Sequence, residues 1–319
     1  MHARVLAGRV TWSAVAGLVT FAAAVALPLS SLGCRSRADA STIKPDPSSH
    51  GVPSLSPRSA AAQASAFRDG LGVPRDEGKA VSLFADACEG GIAKACGDLG
   101  AMFADGVTVP RDAVRAASLF QRACDSADLS ACGRLGEMVR RGDGATRDEG
   151  RAVSLLQKAC QGGVARACTQ QGNMVNAGAG VVKDPPRAVS LYQMACEAGD
   201  VDGCVDLAGA YEKGEGVTES LGDAVDLYDR ACTLGSAEGC RQLGEMYSDG
   251  RGVARSPTRS VDLWTRACDG GDSMACIELG RLYASGRGVR TDRDRALALY
   301  RKACDAGMSL GCDAAKAIR

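Results

Sequence analysis

The cysteines of this chain keep a fixed period. After the first 58 residues they fall at 88, 124, 160, 196, 232, 268 and 304, each with a second cysteine eight residues on, at 96, 132, 168, 204, 240, 276 and 312. Every step between equivalents is 36 residues, with no insertion or deletion. Self-similarity at such a period marks an array in which each unit buries its apolar face against its neighbours. The length of 319 residues therefore counts repeats rather than globular domains.

Aligned on this period, each position acquires a role. Asp76, Asp112, Asp148, Asp184, Ser220, Ser256 and Asp292 share the first position, where a side-chain oxygen can accept from free backbone N–H groups at a helix start. Pro185 and Pro257 follow two of them, at the first helical position, where proline is tolerated. In the helix that follows, Ala80, Leu83, Phe84 and Ala87 and their equivalents form an i, i+3, i+4, i+7 stripe. The Leu recurs in all seven copies, and the next position reads Phe84, Phe120, Leu156, Tyr192, Tyr228, Trp264 and Tyr300, a column expected in the core. Glycines such as Gly91 and Gly163 end this helix, and a second helix, carrying Leu99 with Met102 and Phe103 in the first copy, ends at Gly106 and its equivalents. Each unit reads as a helix hairpin, and the fold class is all-α, an α-solenoid. The repeats are 76–111, 112–147, 148–183, 184–219, 220–255, 256–291 and 292–319, the last with Ala315 and Lys316 where a Leu and a small residue are usual. Residues 59–75 match the end of a second helix and its connector, and are expected to be an N-terminal half-repeat cap.

The N-terminal segment is of a different kind. Arg4 and Arg9 precede an apolar run from Val10 to Leu29, which reads as a secretory signal over residues 1–33. The following "SSLGC" resembles the lipobox of bacterial lipoproteins, with Ser31 where an aliphatic residue is usual, and the resemblance implies lipidation at Cys34. Ordinary signal cleavage or an uncleaved anchor are the other outcomes, and each of the three exports the chain. Residues 34–58 comprise this cysteine and a segment rich in Ser and Pro with almost no apolar periodicity, which cannot offset its ordering entropy and is expected to be a disordered tether.

The string "DEGKAVSLFADACEGGIAKACGDLGAMFADG" with its "GxGVxxD" connectors resembles the Sel1-like repeat family, relatives of tetratricopeptide repeats, over about residues 59–319. The paired cysteines are most similar to those of the cysteine-rich Sel1-like proteins first known from Helicobacter. The resemblance implies a solenoid of seven hairpins stapled by Cys88–Cys96, Cys124–Cys132, Cys160–Cys168, Cys196–Cys204, Cys232–Cys240, Cys268–Cys276 and Cys304–Cys312.

The residues themselves allow three uses for such pairs. A structural zinc site needs four ligands, commonly closely spaced, and each repeat offers only two thiolates; both histidines, His2 and His50, lie outside the array. A redox couple favours Cys-x-x-Cys with one exposed, low-pKa thiol. A disulfide fits the last turn of one helix and the first turn of its antiparallel partner, with Ala87 and Ala95 leaving room for close approach. Closing so short a loop is worth about 2.6 kcal/mol in the chain-entropy treatment. Fifteen cysteines also suit an oxidising compartment.

The resemblance to the Helicobacter proteins further implies penicillin binding or weak β-lactam hydrolysis. Serine β-lactamases use Ser-x-x-Lys with Ser-Asp-Asn and Lys-Thr-Gly elements. Here the sole Ser-x-x-Lys, Ser41 to Lys44, falls in the tether, and neither companion occurs. "GMSLG", Gly307 to Gly311, has the form of a nucleophile elbow but occupies an inter-helix turn with no histidine after it. The Gly-rich connectors lack the third glycine and preceding strand of a nucleotide fingerprint. No catalytic residue, metal or cofactor is assigned.

With 38 basic and 38 acidic residues, the formal net charge of +0 gives no footprint for nucleic acid or an anionic membrane surface. The charge is patterned nonetheless. Arg115, Arg151, Arg187, Arg259 and Arg295 share one position of the first helix, and Arg122, Lys158, Arg230, Arg266 and Lys302 share another two turns on. Such a ladder serves either of two ends. It can pair with acids of the next repeat and complement its own helix C-terminus, or it can line a groove for an extended acidic partner. The expectation is an exported scaffold in the bacterial cell envelope, tethered to the membrane by its lipid alone, binding an envelope protein or peptide segment along this ladder.

Overall fold

The computed structural model describes residues 55–107 and 109–318. The signal segment 1–33, Cys34, most of the tether and the Ser41–Lys44 string lie outside the described residues. The described residues form fifteen helices and no strand. In order these are α1 (Pro57–Asp69), α2 (Glu77–Glu89), α3 (Ala93–Asp105), α4 (Ala113–Asp125), α5 (Leu129–Arg141), α6 (Glu149–Gln161), α7 (Ala165–Ala177) and α8 (Pro185–Glu197). They continue as α9 (Val201–Lys213), α10 (Leu221–Thr233), α11 (Ala237–Asp249), α12 (Pro257–Asp269), α13 (Ser273–Ser285), α14 (Arg293–Asp305) and α15 (Ser309–Ala317). Each packs on the next, and the chain makes one α-solenoid.

Local chemistry sets the boundaries. All seven expected caps of the even-numbered helices are made: Asp76 accepts from the Lys79 N–H at 3.0 Å, Asp112 from Arg115 at 2.9 Å, and Ser256 from Arg259 at 3.4 Å, with the other four alike. Helix α1 begins at Pro57, two residues inside the segment expected to be tether. Ser56 caps the Ser59 N–H, and Pro57 brings a preset φ to the first turn. The odd-numbered helices α1 to α13 end in left-handed glycines from Gly70 to Gly286. The second glycine of the connector is needed as well: at Gly144, φ is 69° and a Cβ would lie 2.0 Å from the Ala113 carbonyl oxygen.

Two kinds of seam alternate along the array. Across each connector, as between α3 and α4 or α11 and α12, the helices share the more extensive contact. Here the aromatic column of the even helix lies on a bare stretch of the odd one. A Cβ at Gly172 would come within 2.6 Å of the Tyr192 ring, and one at Gly244 within 2.6 Å of Trp264. The whole column is buried, from Phe84 to Tyr300, whereas the recurrent Leu is only partly so in Leu83, Leu155, Leu227 and Leu299. The small column ends at Lys316, which is exposed on α15.

The other seam is narrower in contact and holds the disulfides. All seven cysteine pairs are bonded, with Cα separations of 4.5–4.7 Å. Six pairs are buried; Cys304 and Cys312 are half-buried, with no further repeat stacked on them among the described residues. The turn between the two cysteines runs through a left-handed residue, glycine in six repeats. In the second repeat it is Ala127, at φ 69°, a conformation costly to a residue with a Cβ that the closed loop nevertheless imposes. The "GMSLG" string is this same turn, with Gly307 left-handed and Met308 preceding α15.

One core position breaks the pattern. The column Leu99, Leu135, Leu207, Leu243 and Leu279 contains Gln171 in the third repeat, 2% exposed, and no hydrogen bond to its amide is present among the described residues. A buried amide without partners is costly, so Gln171→Leu is expected to stabilise the array by about 1–2 kcal/mol. The urea midpoint should rise with little change in slope.

Candidate interaction surface

The ladder residues sit on the even helices, and the structure gives nearly all of them a partner inside the array. The later position reaches the preceding even helix. Lys158 donates to the Cys124 carbonyl, Arg230 to Cys196 and Arg266 to Cys232, each at 2.9 Å, and Arg122 to Cys88 at 3.4 Å. Each cation therefore complements the C-terminus of the helix one repeat back rather than its own. Lys302 pairs with Asp269 at 3.3 Å. At the earlier position Arg115 lies over the Phe103 ring, Arg259 over Tyr247 and Arg295 over Tyr283, while Arg151 donates to Gln121. Arg187 alone has no side-chain partner among the described residues.

Position 194 tests the role of the later cations. Met194, half-exposed, occupies the place of an Arg or Lys, so Cys160 lacks the donor that Cys88, Cys124, Cys196 and Cys232 have. Met194→Arg is expected to raise stability by about 0.5–1 kcal/mol and Arg266→Met to lower it by a similar amount. Denaturant midpoints of the oxidised protein measure both.

The odd helices present the other face. They touch their odd-numbered neighbours directly, α5 with α7, α7 with α9 and α13 with α15, so the array draws together on this side. Among the recesses that open there, two differ in charge. One, of 200 Å³ between α7, α9 and α11, is lined by Tyr192, Asp206, Glu215 and Glu238, with Lys213 and Asn173 at its edge. Tyr192 donates to the Asn173 side-chain oxygen at 2.6 Å, and Tyr228 to Glu212 at 2.9 Å. Glu212 also pairs with Arg251. Burial, then nearby carboxylates, pushes both tyrosine hydroxyls well above their usual range. The Asp206 carboxyl is pushed up to about 6, chiefly by burial, with Glu238, Asp202 and Asp200 adding to it against a hydrogen bond from Asn173.

The second recess, of 520 Å³, lies between α3, α5 and α7 and is cationic at its rim, with Arg134, Arg141 and Arg166. Nothing in the sequence pattern distinguished these positions, because the charges on the odd helices vary from repeat to repeat. A signal was present nonetheless: one position of this face reads Gly97 and Gly133 in two successive units, then Thr169, Val205, Arg241 and Ile277.

No group of three or more His, Cys, Asp and Glu side chains among the described residues is arranged to hold a metal ion, and no described helix is long and apolar enough to cross a membrane. A chain of stacked helix pairs, with a disulfide at every second seam, is a repeat protein of the α-solenoid class. The sequence matches the Sel1 repeat at residues 59–92, 93–128, 129–164, 165–200, 201–236, 237–272 and 273–308, and the chain belongs to the Sel1 repeat family. These units start half a period from the hairpins drawn above. Helices α1 and α2 make the first complete unit, six of the seven disulfides join consecutive units, and the seventh, Cys304–Cys312, joins the last unit to α15.

Among solved structures the chain is similar to c5321, a protective antigen present in uropathogenic Escherichia coli strains displaying an SLR fold. The TM-score is 0.68 at 27% identity, over 82% of this chain and 56% of that one, so this chain spans little more than half of the antigen's length. It is also similar to a Sel1 repeat protein from Oxalobacter formigenes, with TM-score 0.72 and 26% identity over 82% of this chain and 77% of that one. No curated protein matches the sequence.

The raised Asp206 carboxyl makes stability depend on pH. The folded chain holds this proton more tightly than the unfolded chain, in which a free Asp titrates near 3.8. Stability contributed by the protonated form is therefore present in acid and declines as pH rises through about 4 to 6. Asp206→Asn is expected to flatten this decline and to gain about 1 kcal/mol at neutral pH, a figure reduced for solvent screening of a partly exposed group. Urea titrations of both proteins from pH 4 to 8 measure it.

Proposed function

We propose that this chain is an exported scaffold of the bacterial cell envelope, held at the membrane by a lipid on Cys34, that binds a protein or peptide segment along its solenoid surface. The observation that carries the reading is the set of seven disulfides, one at every repeat. A chain that depends on them at each seam belongs in an oxidising compartment. The extended row of recesses, rather than one enclosed pocket, supports binding of an elongated partner.

Expression of the full chain with an alkyne-tagged fatty acid tests export and anchoring together. The expected result is label on the wild type and none on Cys34→Ser, with no thiol of the seven pairs open to alkylation before reduction. Label absent from both proteins removes the anchor from the reading. Thiols that alkylate without reduction overturn export itself. Photo-crosslinking from Gln170 and from Ser190 in envelope extracts separates the odd-helix from the even-helix face, and a discrete adduct from the first position alone is expected.

A further inference from the structure

We propose that the groove across α3, α5 and α7 is a binding site for an extended acidic peptide segment, held by Arg134 and Arg166. The proposal rests on the scaffold reading and deepens it, by assigning the binding face and the chemistry of the partner.

The groove lies where one position lacks a side chain. Gly133 leaves the helix surface without a side chain where later units carry Thr169, Val205, Arg241 and Ile277, and at Gly97 the Asp128 carboxylate takes that place, 2.5 Å from where a Cβ would lie. The two recesses there share Phe120, Ser130, Arg134 and Val164, so they form one trough. Val164, half-buried, gives it an apolar floor, and Phe120 backs that floor from beneath, almost wholly covered by the protein around it. Where the position is filled, by Arg241, the side chain folds into pairs with Glu245 and Asp272.

The charges of the trough do not cancel internally. Lys94 and Arg68 pair with Asp98, Arg141 and Arg140 pair with Glu137, and Asp128 is occupied in capping α5. Burial works against ionisation of Glu137, but its two arginines outweigh it and hold the carboxyl below its usual range. What remains are Arg134 and Arg166, both exposed and without an ion pair among the described residues, and the carboxylates of Asp105 and Asp128; with Arg68 and Arg140 at the flanks, six cations stand against four carboxylates. Arg134 stands 5.9 Å from the Phe120 ring, which limits how far its guanidinium wanders. Two forked donors over an apolar floor match carboxylates alternating with apolar side chains on an extended chain. The neighbouring recess, with Asp206 and Glu238, repels such a segment and sets where its acidic stretch must stop.

Fluorescence anisotropy of the oxidised full chain with a labelled peptide of repeated Leu-Glu-Gly units, and with its Leu-Lys-Gly counterpart, tests the assignment. The acidic peptide is expected to bind more tightly by about tenfold or more, and Arg134→Glu with Arg166→Glu should abolish that preference. Gly133→Val is the steric arm. A Cβ there meets only ordinary contacts, the closest at 3.6 Å, and Val stands at the same position in α9, so the variant narrows the trough at unchanged charge, with its fold checked by far-UV circular dichroism and denaturant midpoint against the wild type. It should weaken the acidic peptide about tenfold as well, whereas Arg187→Glu on the even-helix face should leave affinity within about twofold. Equal binding of both peptides, no detectable binding, or wild-type affinity in the arginine or glycine variants overturns the proposal. A partner crosslinked in extracts whose capture is indifferent to Arg134 and Arg166 overturns it too, while leaving the scaffold reading in place.

Discussion

Each interior helix of this array is held on one side by a ring, or by Leu156 between α5 and α6, lying on a small residue of its neighbour and on the other by a covalent bond between sulfurs, and the remaining features follow from that alternation. The ring seam is close because glycine at this position carries no Cβ, and Ala64 and Ala208 only a methyl, to hold the helices apart. It is rich in apolar contact and would hold without help. The sulfur seam has alanines and short turns where the other has rings, so it buries less. The bonds therefore sit where packing is thinnest, and each one fixes the register of a pair of units that the ring seam has already made. That division explains how a chain with only 4% aromatic residues builds a continuous core.

The same alternation makes the disulfides a property of the joints rather than of isolated hairpins. In a one-dimensional array stability is a sum of units and interfaces, and here every second interface is covalent. Reduction therefore acts on the coupling between units before it acts on any one of them. The cations at 158, 230 and 266 reinforce the same joints: each donates to the carbonyl of the preceding repeat's disulfide cysteine, tying the start of one sulfur seam to the next helix in line.

The regular parts were legible in the sequence because they are local and recur. A cap, a turn glycine and a ring column depend on residues within a few positions, and seven copies made each unmistakable. What the sequence did not show was where a repeated charge goes. Arg230 and Cys196 are 34 residues apart, and the cation meets that carbonyl only because the helix stack places it there. A ladder that could have lined a groove is for the most part joined to the array instead. Gln171 and Ala127 were missed for the opposite reason: each is a single departure from a column, and a pattern built from the majority passes over it.

Departures of that kind carry what is individual about this chain. The repeated residues on the even helices are occupied in building the solenoid, so they are the same from unit to unit, and a surface that repeats uniformly offers no register to a partner. The odd-helix face is where the repeats differ. A trough lies over α3, α5 and α7 where Gly133 carries no side chain, cations rim it, and carboxylates gather over α9 and α11. A segment lying on this face would meet positive charge over an apolar floor and then negative charge, an order that distinguishes one direction along the array from the other. Specificity in a solenoid then resides in the positions that its architecture leaves unconstrained, and the regularity of the scaffold is what leaves them free to vary.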